Sequence, residues 1–219
     1  QGELVISGQN TLENFPRAAE YAVHFRKTYY PICFHQNPAK EFEHHLAASK
    51  IIAIPPPIGS TRTTFRSCFL PGISYDRLTP FGTEPPERNI QIGEDMDKAA
   101  AIGLWHLLQQ VYHQIRQLHE RDFAHGDLFL HNVIVSPSPI GAHLIDFEQA
   151  VRCTDDLDSE KWNAIQQADL REIFKEAIYL QCALGRQTGT LAEASIASLP
   201  SLMEKSELFI RTIPSSSSA

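Results

Sequence analysis

The sequence lacks long apolar runs and has few cysteines. No stretch of about 18 apolar residues occurs in the 219-residue chain, so no membrane span is predicted. The cysteines are far apart, without the paired spacing of a zinc site or the density of a disulfide scaffold. They are Cys33, Cys68, Cys153 and Cys182. With no signal peptide at its start, the protein is expected to be cytoplasmic, in its own cell or, as a secreted effector, in a host cytosol.

Basic residues are also in short supply. The chain has 19 lysines and arginines against 26 acidic residues, which gives a formal net charge of −7. Because no basic stripe is present, nucleic acid is not expected as a partner. The 10 histidines do not form the HExxH pattern or another zinc spacing, so a zinc enzyme is not predicted either.

The patterns that are present indicate an α+β protein of two lobes. Strand signals dominate residues 1–70, together with one helix that begins at Asn37-Pro38. The strongest helical signal, residues 97–121, has a broad apolar face at helical spacing. We predict a small β-rich lobe over 1–70, a connection over 71–78, a helical lobe over 79–212 and a disordered tail over 213–219.

Two short stretches contain the residues that can perform chemistry. Residues 125–135 contain Asp127 and Asn132, five positions apart and directly before a β-branched run. Residues 144–148 place Asp146 at the end of an apolar strand. A loop, a strand, a turn and a second strand in this order would bring the three side chains to one mouth.

This set of side chains matches the needs of phosphoryl transfer. That reaction requires metal ions and a cation on the phosphates, and an acid that orients the attacking hydroxyl. Magnesium prefers oxygen ligands, which Asn132 and Asp146 supply. Asp127 is the remaining acid, positioned to accept the hydroxyl proton. The sequence therefore predicts transfer of phosphate from Mg-ATP.

The same residues resemble a known family. The pattern His125-x-Asp127-x-x-x-x-Asn132 is similar to the catalytic loop of protein-kinase-like phosphotransferases, and residues 146–148 resemble their Asp-Phe-Gly motif, with Glu148 in the glycine place. The resemblance implies a bilobal protein-kinase-like fold with a small β-rich N-lobe and a helical C-lobe. It also implies ATP and magnesium as ligands.

The resemblance assigns a role to each matched residue. Asp127 would be the catalytic base, and Asn132 and Asp146 the magnesium ligands. Asp169 would support the catalytic loop through hydrogen bonds, and His125 would brace that loop. Residues 69–78 resemble the hinge between the lobes, where backbone groups from Cys68 to Leu70 would contact adenine.

The sequence does not decide which residue supplies the cation that contacts the phosphates. Residues 21–24, Tyr-Ala-Val-His, resemble the Val-Ala-x-Lys of the family but have His24 in the lysine place. Strand alternation puts His24 and Arg26 on one face and Lys27 on the other. In a different register Lys27 could contact the phosphates and pair with a glutamate of the following helix. Glu43 is the preferred partner, and Glu41 competes with it.

Other departures indicate the atypical branch of the family. The Gly-x-Gly-x-x-Gly loop and the Ala-Pro-Glu signal are absent, and Phe129 stands where ordinary serine/threonine kinases have lysine. The branch includes small-molecule, lipopolysaccharide and ancient atypical protein kinases. We predict a kinase that acts on a hydroxyl, preferably serine or threonine of a protein. The alternatives are a small-molecule or lipopolysaccharide-sugar kinase and a nucleotide-binding pseudokinase scaffold.

Overall fold

A computed structural model describes most of the chain. The described residues are 2–6, 23–29, 37–81, 95–137, 140–154, 157–185, 199–201 and 203. Side chains are described from residue 25 onward within these ranges. The predicted tail over 213–219 lies outside the described residues, as do parts of the predicted C-lobe.

The first part of the chain forms an antiparallel sheet of four strands. They are β1 (Gly2–Ile6), β2 (Val23–Thr28), β3 (Pro57–Ser60) and β4 (Thr64–Cys68), in the spatial order β1-β2-β4-β3. Helix α1 (Pro38–Ala48) packs against β3 and β4. Strand β3 was not predicted, because the prolines before it were interpreted only as the end of a helix.

Helix α1 begins where the sequence predicts. The Asn37 side chain accepts hydrogen bonds from the backbone N–H groups of Ala39 and Lys40, at 3.1 and 3.2 Å. Pro38 occupies the first helical position, where a backbone N–H is not needed. The cap fixes the start of the helix and hence the rotation of the residues that follow.

The second part of the chain is mainly helical. Its long helices are α2 (Lys98–His119) and α3 (Ser159–Ala183), and its strands are β5 (Ile73–Ser74), β6 (Phe123–Ala124), β7 (Val133–Pro137), β8 (Ile140–Leu144) and β9 (Val151–Arg152). Short 3-10 helices cover Tyr75–Arg77 and Leu130–Asn132. The strands form a sheet of order β5-β7-β8 and a separate β6–β9 pair. The predicted α+β arrangement of two lobes is confirmed.

The core of this second lobe lies between α2, α3 and the β7–β8 hairpin. The apolar face predicted for α2 is buried along its length. Its buried residues include Leu104, Trp105, Leu108, Val111, Ile115 and Leu118. Apolar periodicity predicts that α3 begins at Ala164, but the helix begins at Ser159, because the Asp158 side chain caps it by accepting from Glu160 N at 3.1 Å. Its polar first turn has no apolar periodicity that would reveal it.

One carboxyl group is buried in this core. Glu176 on α3 is 3% exposed, and its Oε1 accepts a hydrogen bond from the Tyr75 hydroxyl at 3.4 Å. Burial raises the pKa of Glu176 to about 7, although hydrogen bonds from Thr79 and Tyr75 act in the opposite direction. The group is therefore partly ionised near neutral pH.

Replacing Glu176 with Gln should remove a pH-dependent loss of stability. Because the folded-state pKa of Glu176 is raised, its stabilising contribution is present below its unfolded pKa of 4.5 and is lost as pH rises through about 7. We expect the advantage of Glu176→Gln over wild type to grow by on the order of 3 kcal/mol between about pH 5 and pH 9. Urea unfolding across this range measures it. Glu160→Gln, at an exposed position on the same helix, is the control and should follow wild type.

Candidate active site

The segment from His125 to Asn132 is held in place by one buried carboxylate. Asp169, on α3, is fully buried and accepts hydrogen bonds from the backbone N–H groups of His125 and Gly126, both at 2.9 Å. His119 Nε2 lies 3.0 Å from the same carboxylate. The predicted support of the loop by Asp169 is confirmed. A carboxylate with several donors gives a rigid anchor for the residues that follow.

Gly126 has a conformation that other residues rarely adopt. Its φ is 80°, and a Cβ atom at this position would clash with the carbonyl oxygen of Gln149. The turn at Gly126 therefore requires glycine, and it brings the next residue, Asp127, to the start of the loop that leads to Asn132. Asp127 is partly exposed.

Asn132 has a fixed orientation. Its Nδ2 donates a hydrogen bond to the backbone carbonyl of Asp127 at 2.9 Å, and the residue is 5% exposed. This bond commits the amide nitrogen, so the carbonyl oxygen Oδ1 is the atom left for another ligand. The donor set matches a site for a hard metal ion, because the remaining atoms at Asn132 and Asp146 are oxygens.

The β7–β8 hairpin brings Asn132 and Asp146 to the same end. Val133 pairs with Leu144, and Ile145 N donates to the Asn132 carbonyl at 2.9 Å. Asp146 follows at once with a φ of 63°, in the left-handed region. An aspartate in this region carries local strain, which the surrounding contacts must hold.

A column of rings connects His125 to the first lobe. Phe147 is fully buried, and its ring centroid lies 4.8 Å from that of His125 and 5.3 Å from that of His45 on α1. The His45 ring lies 5.3 Å from Phe65 on β4. Burial lowers the pKa of both imidazoles, that of His45 to about 4, so they act as neutral packing groups. This agrees with the predicted bracing role of His125, whose Nε2 lies 2.9 Å from the Ile145 carbonyl.

Lys27 is the cation that the structure brings to these residues. Its Nζ lies 2.7 Å from Asp146 Oδ1 and 2.9 Å from Glu148 Oε2. Lys27 pairs with Phe65 in the β2–β4 register and shares its face of β2 with Phe25. Arg26 is on the opposite face by alternation, and the His24 side chain lies outside the described residues. Lys27 therefore lies where the lysine of the family is expected. The resemblance of residues 21–24 to Val-Ala-x-Lys had pointed instead to His24, three residues earlier.

The helix partner of Lys27 differs from the preferred prediction. Glu41 Oε2 lies 3.5 Å from Lys27 Nζ, and Glu41 is buried on α1. Glu43 is exposed. The choice of Glu43 was wrong because residues two apart on a helix point in nearly opposite directions. Glu41 shares its face of α1 with His45, four residues later, and this spacing was a signal available in the sequence.

The pKa values of Lys27 and Glu41 are both raised, but for different reasons. Burial lowers the pKa of Lys27, but the charges of Glu41 and Asp146 outweigh it and the pKa is raised above the ordinary lysine value. Burial raises the pKa of Glu41 to about 8, against the lowering effect of Lys27. Lys27 therefore remains an ammonium throughout the physiological pH range. The sequence did not reveal that Glu148 contacts this ammonium.

A cavity of about 480 Å³ opens beside the cluster, between the lobes. Its walls are mainly apolar, and Lys27, Glu41 and Asp146 lie at one side. Cys68 and Leu70, predicted as adenine contacts, are among its lining residues. The other lining residues are Phe25, His45, Pro55, Phe65, Ser67, Phe69, Gly72, Ile134 and Ile145. Its size and apolar lining are those of a site for a small organic molecule.

Comparison with known proteins gives a family match for part of the chain. Residues 96–196 match the model of the lipopolysaccharide kinase (Kdo/WaaP) family. Among solved structures, the kinase PK-1 of Cydia pomonella granulovirus aligns with a TM-score of 0.47 and 11% sequence identity. The alignment covers 74% of this chain, and the chain spans 59% of the length of the viral kinase. No curated protein sequence matches significantly.

None of the described helices is both long and apolar enough to cross a membrane. The family match covers α2, the loop from His125 to Asn132, the β7–β8 hairpin and α3, which contain all the motif residues of the second lobe. Together with the bilobal fold, it supports the resemblance on which the residue roles were based. Over residues 96–196, the chain matches a family of protein-kinase-like phosphotransferases.

Proposed function

We propose that the protein is an ATP- and magnesium-dependent kinase that transfers the γ-phosphate to a hydroxyl group. The observation that carries this proposal is the 2.7 Å contact between Lys27 Nζ and Asp146 Oδ1 beside the interlobe cavity. It joins a cation from one lobe to an oxygen ligand from the other, at the place where nucleotide phosphates would enter. Phosphoryl transfer depends mainly on such positioning and charge.

The cavity supports a nucleotide as the phosphate donor. Adenine would lie between its apolar walls, with the backbone of Cys68 and Leu70 as hydrogen-bonding partners at the edge. The phosphates would then extend toward Lys27. The ammonium would exchange its carboxylate contacts for phosphate oxygens, because both are anionic acceptors of similar geometry.

Asn132 and Asp146 are the residues that would hold magnesium. Each directs an oxygen atom to the end of the β7–β8 hairpin, and the Asn132 amide nitrogen is already committed. A bound magnesium ion would neutralise charge on the phosphate oxygens and orient them. The positions of both oxygens are set by the hairpin rather than by the ion.

Asp127 would act as the general base. The acceptor hydroxyl oxygen forms a bond to the γ-phosphorus, the bond from that phosphorus to the bridging oxygen breaks, and ADP leaves. The hydroxyl proton passes to the Asp127 carboxylate. The hydrogen bond from Asn132 Nδ2 and the anchor at Asp169 keep this segment in one conformation.

Two classes of acceptor are candidates. The family match over residues 96–196 favours a sugar hydroxyl, as in a lipopolysaccharide kinase. A serine or threonine of a protein, preferred in the sequence analysis, is the other candidate. Both use the same base and the same phosphate site. A pseudokinase scaffold is less well supported, because Asp127, Asn132 and Asp146 are all present.

Radiolabelled ATP would test the proposal and separate the acceptors. The protein is incubated with magnesium and γ-labelled ATP, in one arm with dephosphorylated casein and in the other with deacylated lipopolysaccharide. Label in casein supports a protein acceptor, and label in the saccharide supports a sugar acceptor. Binding of Mg-ATP without transfer or hydrolysis in either arm would overturn the kinase proposal and favour the scaffold.

Replacing Asp127 with Asn should reduce turnover with little effect on ATP binding. Loss of a general base lowers kcat by about 10²- to 10⁴-fold. The KM for ATP should change little, because the Asp127 side chain would contact the acceptor rather than the nucleotide. Steady-state kinetics measure both constants. Asp76→Asn, at an exposed position in the 3-10 helix of residues 75–77, is the control and should retain wild-type kcat. An active Asp127→Asn enzyme would contradict the role of Asp127.

Replacing Lys27 with Met should weaken the contact with the phosphates. Charge-assisted hydrogen bonds contribute about 1.5–3 kcal/mol, so kcat/KM for ATP should fall by at least about 10-fold. The stabilisation of the protein by Mg-ATP in a thermal melt should fall with it. Lys50→Met, which removes an exposed lysine just after α1, is the control. Equal ATP stabilisation in Lys27→Met and Lys50→Met would exclude Lys27 as the phosphate cation.

A further inference from the structure

Two exposed aromatic rings lie on the loop that carries Asp127. The rings of Phe129 and His131 are stacked, with centroids 5.4 Å apart and planes 6° from parallel. Phe129 is 46% exposed, and His131 is exposed as well. Among the described residues, Phe69 is the other exposed phenylalanine, and it lines the interlobe cavity. The stacked pair is not part of that lining, but it is next to the proposed base.

The loop alternates between buried and exposed side chains. Leu128 is buried, Leu130 packs against the core, and Asn132 is 5% exposed. Phe129 and His131 alternate with these residues and are the exposed ones. The packing that fixes the loop therefore also holds the two rings at the surface. Their exposure is a property of an ordered segment rather than of a loose chain end.

Hydrogen bonds fix the position of the rings relative to Asp127. The Phe129 N–H donates to the Asp127 carbonyl at 3.1 Å, and the Phe129 carbonyl accepts from the Asn132 N–H at 2.9 Å. The Asp127 carbonyl also accepts from Asn132 Nδ2. Residues two apart have Cα atoms separated by at most about 7 Å. One small acceptor can therefore contact the Phe129 ring and place a hydroxyl group at the Asp127 carboxylate.

A pair of parallel rings suits a pyranose. One face of a pyranose carries C–H groups with a small positive charge, and these pack well on the negative face of an aromatic ring. The hydroxyl groups at the edge of the sugar are donors and acceptors, and the ring nitrogens of His131 can bond to them. The pair thus combines an apolar surface for the sugar ring with polar atoms for its hydroxyl groups.

An extended peptide fits the same surface less well. Peptides in this conformation are held mainly by main-chain hydrogen bonds, with pockets for alternate side chains. The N–H and the carbonyl of Phe129 are already used within the loop, and both rings are exposed rather than enclosed. The pair therefore offers a peptide neither main-chain partners at Phe129 nor an enclosed site for a side chain.

We propose that Phe129 and His131 form the platform on which a pyranose of the acceptor lies, and that Phe129 selects this sugar over a protein side chain. The C–H face of the pyranose packs on the Phe129 ring, and one hydroxyl group is directed at Asp127. That hydroxyl oxygen bonds to the γ-phosphorus as ADP leaves, and its proton passes to Asp127. The platform deepens the proposed function and rests on it, because Asp127 is taken as the base.

Saturation-transfer difference NMR tests the platform without requiring turnover. Methyl β-glucopyranoside and deacylated lipopolysaccharide are titrated into the protein with magnesium and a non-hydrolysable ATP analogue. Phe129→Ser should weaken the binding of both saccharides by about 10-fold, because the apolar contact with the ring is lost. Phe129→Tyr keeps the ring and should bind like wild type. Ile140→Ser, which removes an exposed apolar side chain at the far end of the β7–β8 hairpin, is the control and should also bind like wild type.

Kinetics with γ-labelled ATP and deacylated lipopolysaccharide give a second readout. Phe129→Ser should raise the KM for the saccharide and leave the KM for ATP as in wild type, because the ring is not part of the cavity lining. An unchanged KM for ATP also shows that the variant is folded.

Two results would overturn the platform. One is saccharide binding that is equal in wild type and Phe129→Ser, and the other is a wild type that labels casein but binds neither saccharide. A wild type that binds saccharide through Phe129 but transfers no phosphate would instead refute the proposed function, and with it the acceptor role of the sugar. Failure of the platform and failure of the kinase proposal are therefore distinguishable.

Discussion

The structure depends on one ammonium group that joins the two lobes. Lys27 comes from the sheet of the first lobe, and its Nζ contacts Asp146 and Glu148 of the second lobe directly. Glu41 on α1 approaches the same atom, so the helix, the sheet and the hairpin converge on one charge. Because buried charges are stable only when paired, loss of this group would leave several acids uncompensated. The contact between the two lobes at this point follows from this requirement.

The acidic half of the site is built in a different way from the basic half. Asp127, Asn132 and Asp146 are fixed by backbone geometry within one loop and one hairpin, with the buried Asp169 as their anchor. Lys27 and Glu41 reach the site only when α1 and β2 dock correctly. The aromatic contacts of His45 with Phe65 and Phe147 provide that docking surface.

This difference explains what could be predicted from the sequence. Asp127, Asn132 and Asp146 are close in sequence and follow short strand signals, so local patterns were sufficient to bring them together. The identities of Lys27 and Glu41 depend on the register of β2 and on the rotation of α1, which are set by packing between distant segments. A slip of one residue reverses the face of a strand. The start of α3 was missed for a related reason, since its first turn is polar and is defined only by the Asp158 cap.

The β7–β8 hairpin has a consequence for how the chain tolerates change. Asn132 and Asp146 stand at its open end, while Pro137 and Ile140 pair at the other end, five residues along each strand. At about 3.3 Å per residue, roughly 15 Å of paired backbone separates the connection from Asn132 and Asp146. The backbone positions of these two residues are set by the pairing of Val133 with Leu144 and do not depend on the length of the connection. Natural variants or engineered proteins can therefore carry inserted peptides between the two strands while the backbone around Asn132 and Asp146 keeps its geometry.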